Sequence, residues 1–279
     1  MYEKWKGVHT RCAFNMIQEL IPLTRPRTLA AALGPTILGA AFSYYAFGAA
    51  QGTGLAIFHT VLIFLAVVTA QIVANLWNEY KDFKSGLDAG QKVGNAGSIT
   101  RGVITPELII TMIKVLMFVP IIIGLYLSAT ITWYYIPVGF LCILISFLYS
   151  GGPKPISRTP FGEISSGIAM GFTIVLITGY AWIRELSLAL LIPAIPSTLL
   201  VGSIMLTNNI RDIRNDESHG RHTLPIVLGR ERALSLMSIS YIFNFIWIIA
   251  WIIVGHMTWF ALLAFLAAPL EIGRASCRE

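Results

Sequence analysis

Two short segments of the sequence carry amide and carboxylate side chains at a repeated spacing. The segment NLWNEYKDFKSGLD places Asn78 four residues before Asp82. The segment TNNIRDIRNDES places Asn208 four residues before Asp212, 130 positions later in the chain. Side chains four residues apart lie on one face of a helix, so each pair would present its oxygen atoms in one direction.

Each segment continues with a further acid, Asp88 in the first and Asp216 in the second. Two like charges 4 Å apart repel by about 1 kcal/mol in water and by about 4 kcal/mol at an effective dielectric constant of 20. A cluster of carboxylates therefore requires a cation, and Mg²⁺ commonly binds one or two carboxylates together with substrate phosphates. The sequence predicts Mg²⁺ ligands at Asp82, Asp88, Asp212 and Asp216.

Basic side chains lie among these acids and indicate an anionic ligand such as a diphosphate, since Lys and Arg bind phosphate oxygens. Lys154 lies in the turn YSGGPKPISRTPFGE, where it and Glu163 are candidates for a role near the site, although the turn also fits a simple helix connector. The predicted diphosphate-binding residues are Asn78, Lys81, Asn208, Arg221 and Lys154. The predicted catalytic residues are Asp82, Asp212 and Arg211.

The elements that must position these residues are membrane-spanning helices. The 279 residues are 56% hydrophobic and 12% charged, with a mean hydropathy of +0.71, whereas soluble domains are about 25% charged. Apolar segments of spanning length occupy 28–50, 55–76, 108–128, 131–149, 161–182, 187–209 and 233–254, and an eighth begins near 257. We therefore predict an all-α, polytopic membrane helical bundle with both motifs in loops at the ends of spans.

The distribution of basic residues predicts the orientation of this bundle. Of the 20 Lys and Arg residues, five precede the first span, four follow the second, two follow the fourth and five follow the sixth. By the positive-inside rule this side is cytoplasmic, which places the Asp-rich loops at the cytoplasmic face of the cell membrane. The net charge of +6 thus reflects topology and anionic lipid headgroups, and we expect no nucleic-acid partner.

The quoted segments, together with SITRG and NNIRDIRNDESHGRHTLPIVLG, resemble the UbiA superfamily of intramembrane aromatic prenyltransferases, and within it the 1,4-dihydroxy-2-naphthoate polyprenyltransferase branch. The resemblance runs from about Leu20 to Leu270. It implies nine transmembrane helices around a central cavity, with Mg²⁺ and a polyprenyl diphosphate held by the two Asp-rich loops. The activity that it implies is transfer of the polyprenyl group to the naphthoate with loss of CO₂ and diphosphate, which gives demethylmenaquinol in menaquinone biosynthesis.

The chain departs from the family's pattern at three places. From the resemblance we expect that Arg158 stands where the family carries Tyr, that His222 replaces Lys or Arg, and that the last of the nine helices is missing here. The final residues, EIGRASCRE, back-translate onto a DNA-sequencing adapter, so we expect 1–270 to be the prenyltransferase domain and 271–279 to be a non-native tail.

Two other functions remain open at this point. A prenyltransferase of the same superfamily with another acceptor, such as 4-hydroxybenzoate, would use the same Asp segments. A secondary transporter is the alternative from another class, because the offset of 130 residues could reflect an internal repeat.

Overall fold

The structure of the protein is a computed structural model that describes residues 20–86, 99, 102 and 104–267, with Arg27 described by its backbone alone. All regular elements in these ranges are helical, as predicted. In chain order the α-helices are α1 (Ala30–Phe47), α2 (Thr53–Ser85), α3 (Pro106–Thr130), α4 (Tyr135–Ser150), α5 (Gly162–Ile183), α6 (Leu191–Ser218), α7 (Leu224–Leu228) and α8 (Arg230–Ile253). Short 3-10 helices occupy Pro26–Leu29, Ile156–Arg158, Leu188–Leu190 and Trp259–Ala267.

Six of these helices are long and apolar enough to cross a membrane: α1, α2, α3, α5, α6 and α8. The shorter apolar helix α4 completes the seven full-length segments expected from the sequence. Ile122, Phe140 and Ile246 are between 61% and 67% exposed on these helices, as expected for side chains that face lipid tails. The prediction of a membrane helical bundle is confirmed for the described spans.

Both motif helices continue beyond their apolar runs, so the prediction of loops at these positions is wrong. Helix α2 has 33 residues and α6 has 28, which corresponds to roughly 50 Å and 42 Å at 1.5 Å per residue, against a hydrocarbon core of about 30 Å. Their last turns therefore extend past the core while the backbone remains helical. Each helix ends just before a glycine with positive φ, Gly86 (74°) and Gly220 (68°), a common helix C-terminal signal.

The chain forms two compact units, the first from Met1–Ala32 and Phe64–Gly152, the second from Leu33–Ile63 and Pro153–Glu279. In the first unit, a buried apolar cluster joins the carboxyl-terminal half of α2 to α3 through residues that include Val73, Leu76 and Ile109. Amide side chains of α2 also hold the segment that precedes α1. Gln71 Nε2 donates to the carbonyl of Thr28 at 2.7 Å, and Asn75 Nδ2 donates to that of Thr24 at 3.0 Å.

In the second unit, α5 packs directly against the backbone of α6. The helix has a π-helical stretch at Gly167–Phe172, where Gly167 and Gly171 face α6 without a side chain. A Cβ added at Gly171 would lie 2.6 Å from the carbonyl oxygen of Ser197, and one at Gly167 would lie 2.6 Å from that of Thr198. Only glycine permits this close approach, which sets the register of α5 on α6.

A proline inside α6 is compensated by a side chain of α8. Pro196 has no N–H, so the carbonyl of Ile192 lacks its usual partner four residues later. Trp247 Nε1 donates to this carbonyl at 2.9 Å. The same two helices meet again nearer the motif, where Leu206 and Ile210 cluster with Met237.

The last described element is the 3-10 helix Trp259–Ala267, which lies where the eighth apolar segment was expected. The predicted boundary at residue 270 and the predicted tail at 271–279 lie outside the described residues.

Candidate functional site

The first motif forms a polar face at the end of α2. Asn75, Asn78, Glu79 and Asp82 are spaced three and four residues apart, so they share one side of the helix. Glu79 is buried at 2% exposure, whereas the other three side chains are partly buried. The oxygen donors predicted at this position therefore lie together, within two turns of helix.

Asn78 is held by a hydrogen bond from the end of α4. Ser150 Oγ donates to Asn78 Oδ1 at 2.9 Å. Beside it, Trp77 Nε1 donates to the carbonyl of Phe147 at 3.0 Å. These contacts fix the rotation of α2 against α4 and orient the motif.

Lys81, predicted to bind diphosphate, lies over an aromatic ring of the same helix. Its Nζ is 5.2 Å from the centroid of the Trp77 ring, a cation–π distance. The ring restrains the ammonium group and is itself uncharged, so this contact leaves Lys81 available to bind an anion.

The second motif occupies the end of α6. Asn208 and Asp212 lie one turn apart on the same face, and both are partly buried. Arg211 Nε donates to Asp212 Oδ1 at 2.9 Å, and its Nη2 donates to Oδ2 at 2.8 Å. Both predicted catalytic residues of this helix thus form a bidentate pair, with side chains 70% and 44% exposed.

Asp216 forms a different kind of ion pair. Its Oδ1 lies 3.2 Å from Arg221 Nη1, and the two side chains are only 4% and 14% exposed. The backbone N–H of Arg221 also donates to the carbonyl of Asp216 at 3.0 Å. The chain reverses at this double contact, just after α6 ends.

The turn between α4 and α5 reaches the same part of the second unit. The N–H of His222 donates to the carbonyl of Arg158 at 3.0 Å, so Arg158 and His222, the two positions that we expect to differ from the pattern of the resembled family, are neighbours. Lys154 lies exposed in this turn.

One contact at this site was not predicted from the sequence. Asn209 Nδ2 donates to Glu163 Oε1 at 2.8 Å, which joins the amino-terminal end of α5 to the motif helix. Glu163 was a candidate because of its turn, but spacing within one segment cannot show that an amide from α6 meets it.

The predicted metal ligands are distributed over both units. Asp82 belongs to the first unit, Asp212 and Asp216 belong to the second, and Asp88 lies outside the described residues. Within the described part of the chain, no group of three or more His, Cys, Asp or Glu side chains is close enough to hold a metal. Each motif helix presents its own carboxylate and amide oxygens, which are the donors that Mg²⁺ prefers.

Comparison with known families matches residues 32–278 to the UbiA prenyltransferase family. The chain is 37% identical over 265 residues to 1,4-dihydroxy-2-naphthoate octaprenyltransferase of Bacillus subtilis, covering 92% of this chain and 81% of that protein. It is 31% identical over 258 residues to the protein of the same name from Mycobacterium tuberculosis, covering 90% and 85%.

Solved structures show the same fold. A UbiA homologue from Aeropyrum pernix K1 superposes with a TM-score of 0.67 at 19% identity, covering 90% of each chain. A UbiA homologue from Archaeoglobus fulgidus bound to DMAPP and Mg²⁺ has a TM-score of 0.64 at 18% identity, covering 92% of this chain and 84% of that one.

Proposed function

Because the chain belongs to the UbiA prenyltransferase family, we propose that it transfers a polyprenyl group from polyprenyl diphosphate to 1,4-dihydroxy-2-naphthoate. The products are demethylmenaquinol, diphosphate and CO₂, so the chain acts in menaquinone biosynthesis. The observation that carries this proposal is the 37% identity to the Bacillus subtilis octaprenyltransferase over 92% of the chain. The family match also favours a transferase over a secondary transporter.

The donor set of the motif helices fits Mg²⁺. In this proposal Asp82 and Asp212 are Mg²⁺ ligands of their respective motif helices, with Asn78 and Asn208 as neighbouring oxygen donors and Asp88 as a further ligand. Asp216, whose Oδ1 pairs with Arg221, would be a further carboxylate ligand. The ion, when bound, stabilises negative charge on the leaving diphosphate. A homologue from Archaeoglobus fulgidus with DMAPP and Mg²⁺ bound supports a Mg²⁺-dependent reaction.

The basic side chains of the site bind the diphosphate and stabilise its charge as the allylic C–O bond breaks. Arg211 has a planar guanidinium that binds two oxygens at once, and it would exchange the Asp212 carboxylate for phosphate oxygens. Arg221 is fixed by Asp216, so its position is set before the substrate arrives. Lys81 and Lys154 add charge without a fixed geometry.

Apolar side chains of the membrane-spanning helices would protect the allylic cation. Membrane-spanning segments exclude water, which would otherwise quench the cation before the naphthoate ring attacks it. The electron-rich ring carbon that bears the carboxylate forms the new C–C bond. Cleavage of the bond between this carbon and its carboxylate then releases CO₂ and restores aromaticity.

The reaction is tested by incubating membranes that contain the protein with Mg²⁺ and radiolabelled farnesyl diphosphate in the presence of single acceptors. We expect a prenylated naphthoquinone from 1,4-dihydroxy-2-naphthoate and no product from 4-hydroxybenzoate. Product from 4-hydroxybenzoate alone would move the chain to another branch of the family. If no acceptor is prenylated, a secondary transporter remains the alternative function.

The motif ends of α2 and α6 are proposed to face the cytoplasm of the cell membrane, as the distribution of basic residues predicts. Helix α2 offers a matched pair of probes, since Thr53 and Ser85 are both exposed and lie at its opposite ends. In a background without Cys12, Cys142 and Cys277, a membrane-impermeant thiol reagent should label Thr53→Cys in intact cells. Ser85→Cys should be labelled only after permeabilisation, and the reverse pattern would contradict the assigned orientation.

A further inference from the structure

The buried carboxylate of Glu163 has an oxygen that no group of the described chain contacts by a hydrogen bond. Glu163 is 5% exposed. Its Oε1 accepts from Asn209 Nδ2 at 2.8 Å, whereas Oε2 is buried without a hydrogen-bond partner among the described residues. More than nine in ten buried polar groups are hydrogen-bonded, because leaving one unpaired is costly. Oε2 is therefore suited to receive a donor group from a ligand.

Asn209 places this carboxylate beside the second motif. It follows Asn208 directly and precedes Asp212 by three residues. Side chains three residues apart on a helix are neighbours, with about 5–6 Å between their Cβ atoms. Glu163 is thus joined, through one hydrogen bond, to a residue one turn from the proposed reaction site.

The backbone around Glu163 holds it in this position. A Cβ added at Gly202 of α6 would lie 3.3 Å from the carbonyl oxygen of Glu163, so the two helices touch at that level. Farther along the interface, Gly167 and Gly171 bring α5 onto the backbone of α6. Withdrawal of Glu163 would require separation of the two helices, so its carboxylate is pre-organised.

The chemistry of Oε2 indicates which group of a ligand can bind to it. A carboxylate oxygen accepts a hydrogen bond, and it repels anionic groups such as a diphosphate or the carboxylate of the naphthoate. The matching partner is a neutral O–H group, and the proposed reactants supply one in the ring hydroxyls of the aromatic acceptor. We propose that Glu163 Oε2 accepts a hydrogen bond from a ring hydroxyl of the aromatic acceptor and so determines acceptor specificity. This inference rests on the proposed function.

The variant Glu163→Gln separates this role from a structural one. The side-chain carbonyl of Gln still accepts from Asn209, so the contact between α5 and α6 is retained. At the position of Oε2, however, an NH₂ group replaces the carboxylate oxygen. This NH₂ group cannot accept a hydrogen bond from the ring hydroxyl. A hydrogen bond to a charged group corresponds to about 10- to 100-fold in binding, which is the expected increase in KM for the naphthoate.

The experiment measures prenyl transfer by membranes containing the full chain, with the parent acceptor and with its two mono-methyl ethers. Glu185→Gln is the matched control, because Glu185 is exposed in the same unit. We expect Glu163→Gln to raise KM for the naphthoate and to leave KM for polyprenyl diphosphate unchanged. One of the two methyl ethers should be a poor substrate for the unaltered protein, and Glu163→Gln should not reduce the use of this ether further.

Three results would overturn the proposal. One is an unchanged KM for the naphthoate in Glu163→Gln. Another is a rise in KM for polyprenyl diphosphate as well, which indicates a structural role. If the variant does not fold, equal use of both methyl ethers and the parent acceptor by the unaltered protein refutes the contact without any mutation. If the unaltered protein prenylates the naphthoate and Glu163→Gln does not change KM for it, only this inference is rejected. If the unaltered protein prenylates no acceptor, the proposed function is rejected.

Discussion

Two ion pairs at the end of α6 differ in exposure, and this difference predicts different contributions to stability. Arg211 and Asp212 are 70% and 44% exposed, while Arg221 and Asp216 are 14% and 4% exposed. An exposed pair contributes roughly 0–1 kcal/mol to stability. Removal of one partner of a buried pair costs about 3–5 kcal/mol, because it leaves an uncompensated charge.

For the exposed pair we predict a change in substrate binding without loss of stability. Arg211→Gln should raise KM for polyprenyl diphosphate by about 10-fold or more, because charge-assisted hydrogen bonds to phosphate oxygens are lost. Its thermal unfolding midpoint in detergent should stay that of the unaltered protein. Arg214→Gln, an exposed position on the same helix, is the control, and an equal effect of both variants would contradict a specific role for Arg211.

For the buried pair we predict a loss of stability. Arg221→Gln should lower the unfolding free energy by about 3 kcal/mol or more, since Asp216 stays buried without its partner. Thermal unfolding followed by circular dichroism measures the change. An unfolding midpoint equal to that of Arg214→Gln would show that this pair does not stabilise the turn after α6.

The spacing of four residues was sufficient to predict which oxygen donors share a helix face. It could not show that Arg211 binds the acid next to it, because adjacent residues on a helix meet only through their side-chain conformations. The spacing also did not predict the hydrogen bond of Asn209, because its partner lies on another helix. The predicted ligand Asp88 lies outside the described residues, and its role stays a prediction.

At the scale of elements, the contact between α5 and α6 depends on two glycines. We predict that Gly171→Ala destabilises the protein strongly, because the added Cβ would lie 2.6 Å from the backbone of Ser197. At Gly139 of α4 a Cβ meets nothing within 4 Å, and Ala should be neutral or stabilise by about 0.5–1 kcal/mol. Unfolding midpoints compare the two variants, and equal midpoints would refute the close packing.

The indole of Trp247 offers a second test at this scale. Trp247→Phe should lower stability by about 1–3 kcal/mol, because the carbonyl of Ile192 loses its partner in an apolar surrounding. Pro196→Ala restores the N–H of α6, so in the double variant part of this loss should be recovered. If Pro196→Ala gives no recovery, the loss comes from packing of the indole and not from its hydrogen bond.

Helix boundaries show where sequence patterns are insufficient. Apolarity ends near the membrane surface, but the backbone of α2 continues to Ser85 and that of α6 to Ser218. Their polar residues are acceptable in a helix, and the glycines at 86 and 220 were the better signals of the ends. The prediction of loops followed hydropathy alone.

At the scale of the whole molecule, the six described helices of spanning length, the shorter apolar helix α4 and the all-α class follow from apolar runs, since the bilayer fixes the length of a spanning helix. The close packing of α5 on α6 could not be predicted from the apolar runs, because Gly167 and Gly171 are needed only where the backbone of α6 lies against them. In the proposed function, the two motif helices supply the chemistry. We propose that both act in one prenyl transfer.

The most direct measurement of this claim compares Asp82→Asn and Asp212→Asn with the unaltered protein. Membranes are incubated with Mg²⁺, radiolabelled farnesyl diphosphate and 1,4-dihydroxy-2-naphthoate, and Glu217→Gln serves as the control at the exposed end of α6. We predict a loss of about 100-fold or more in each Asp variant, abolition of product by EDTA, and normal turnover in the control. Retention of full activity by either Asp variant would contradict the claim that both motifs act in one reaction.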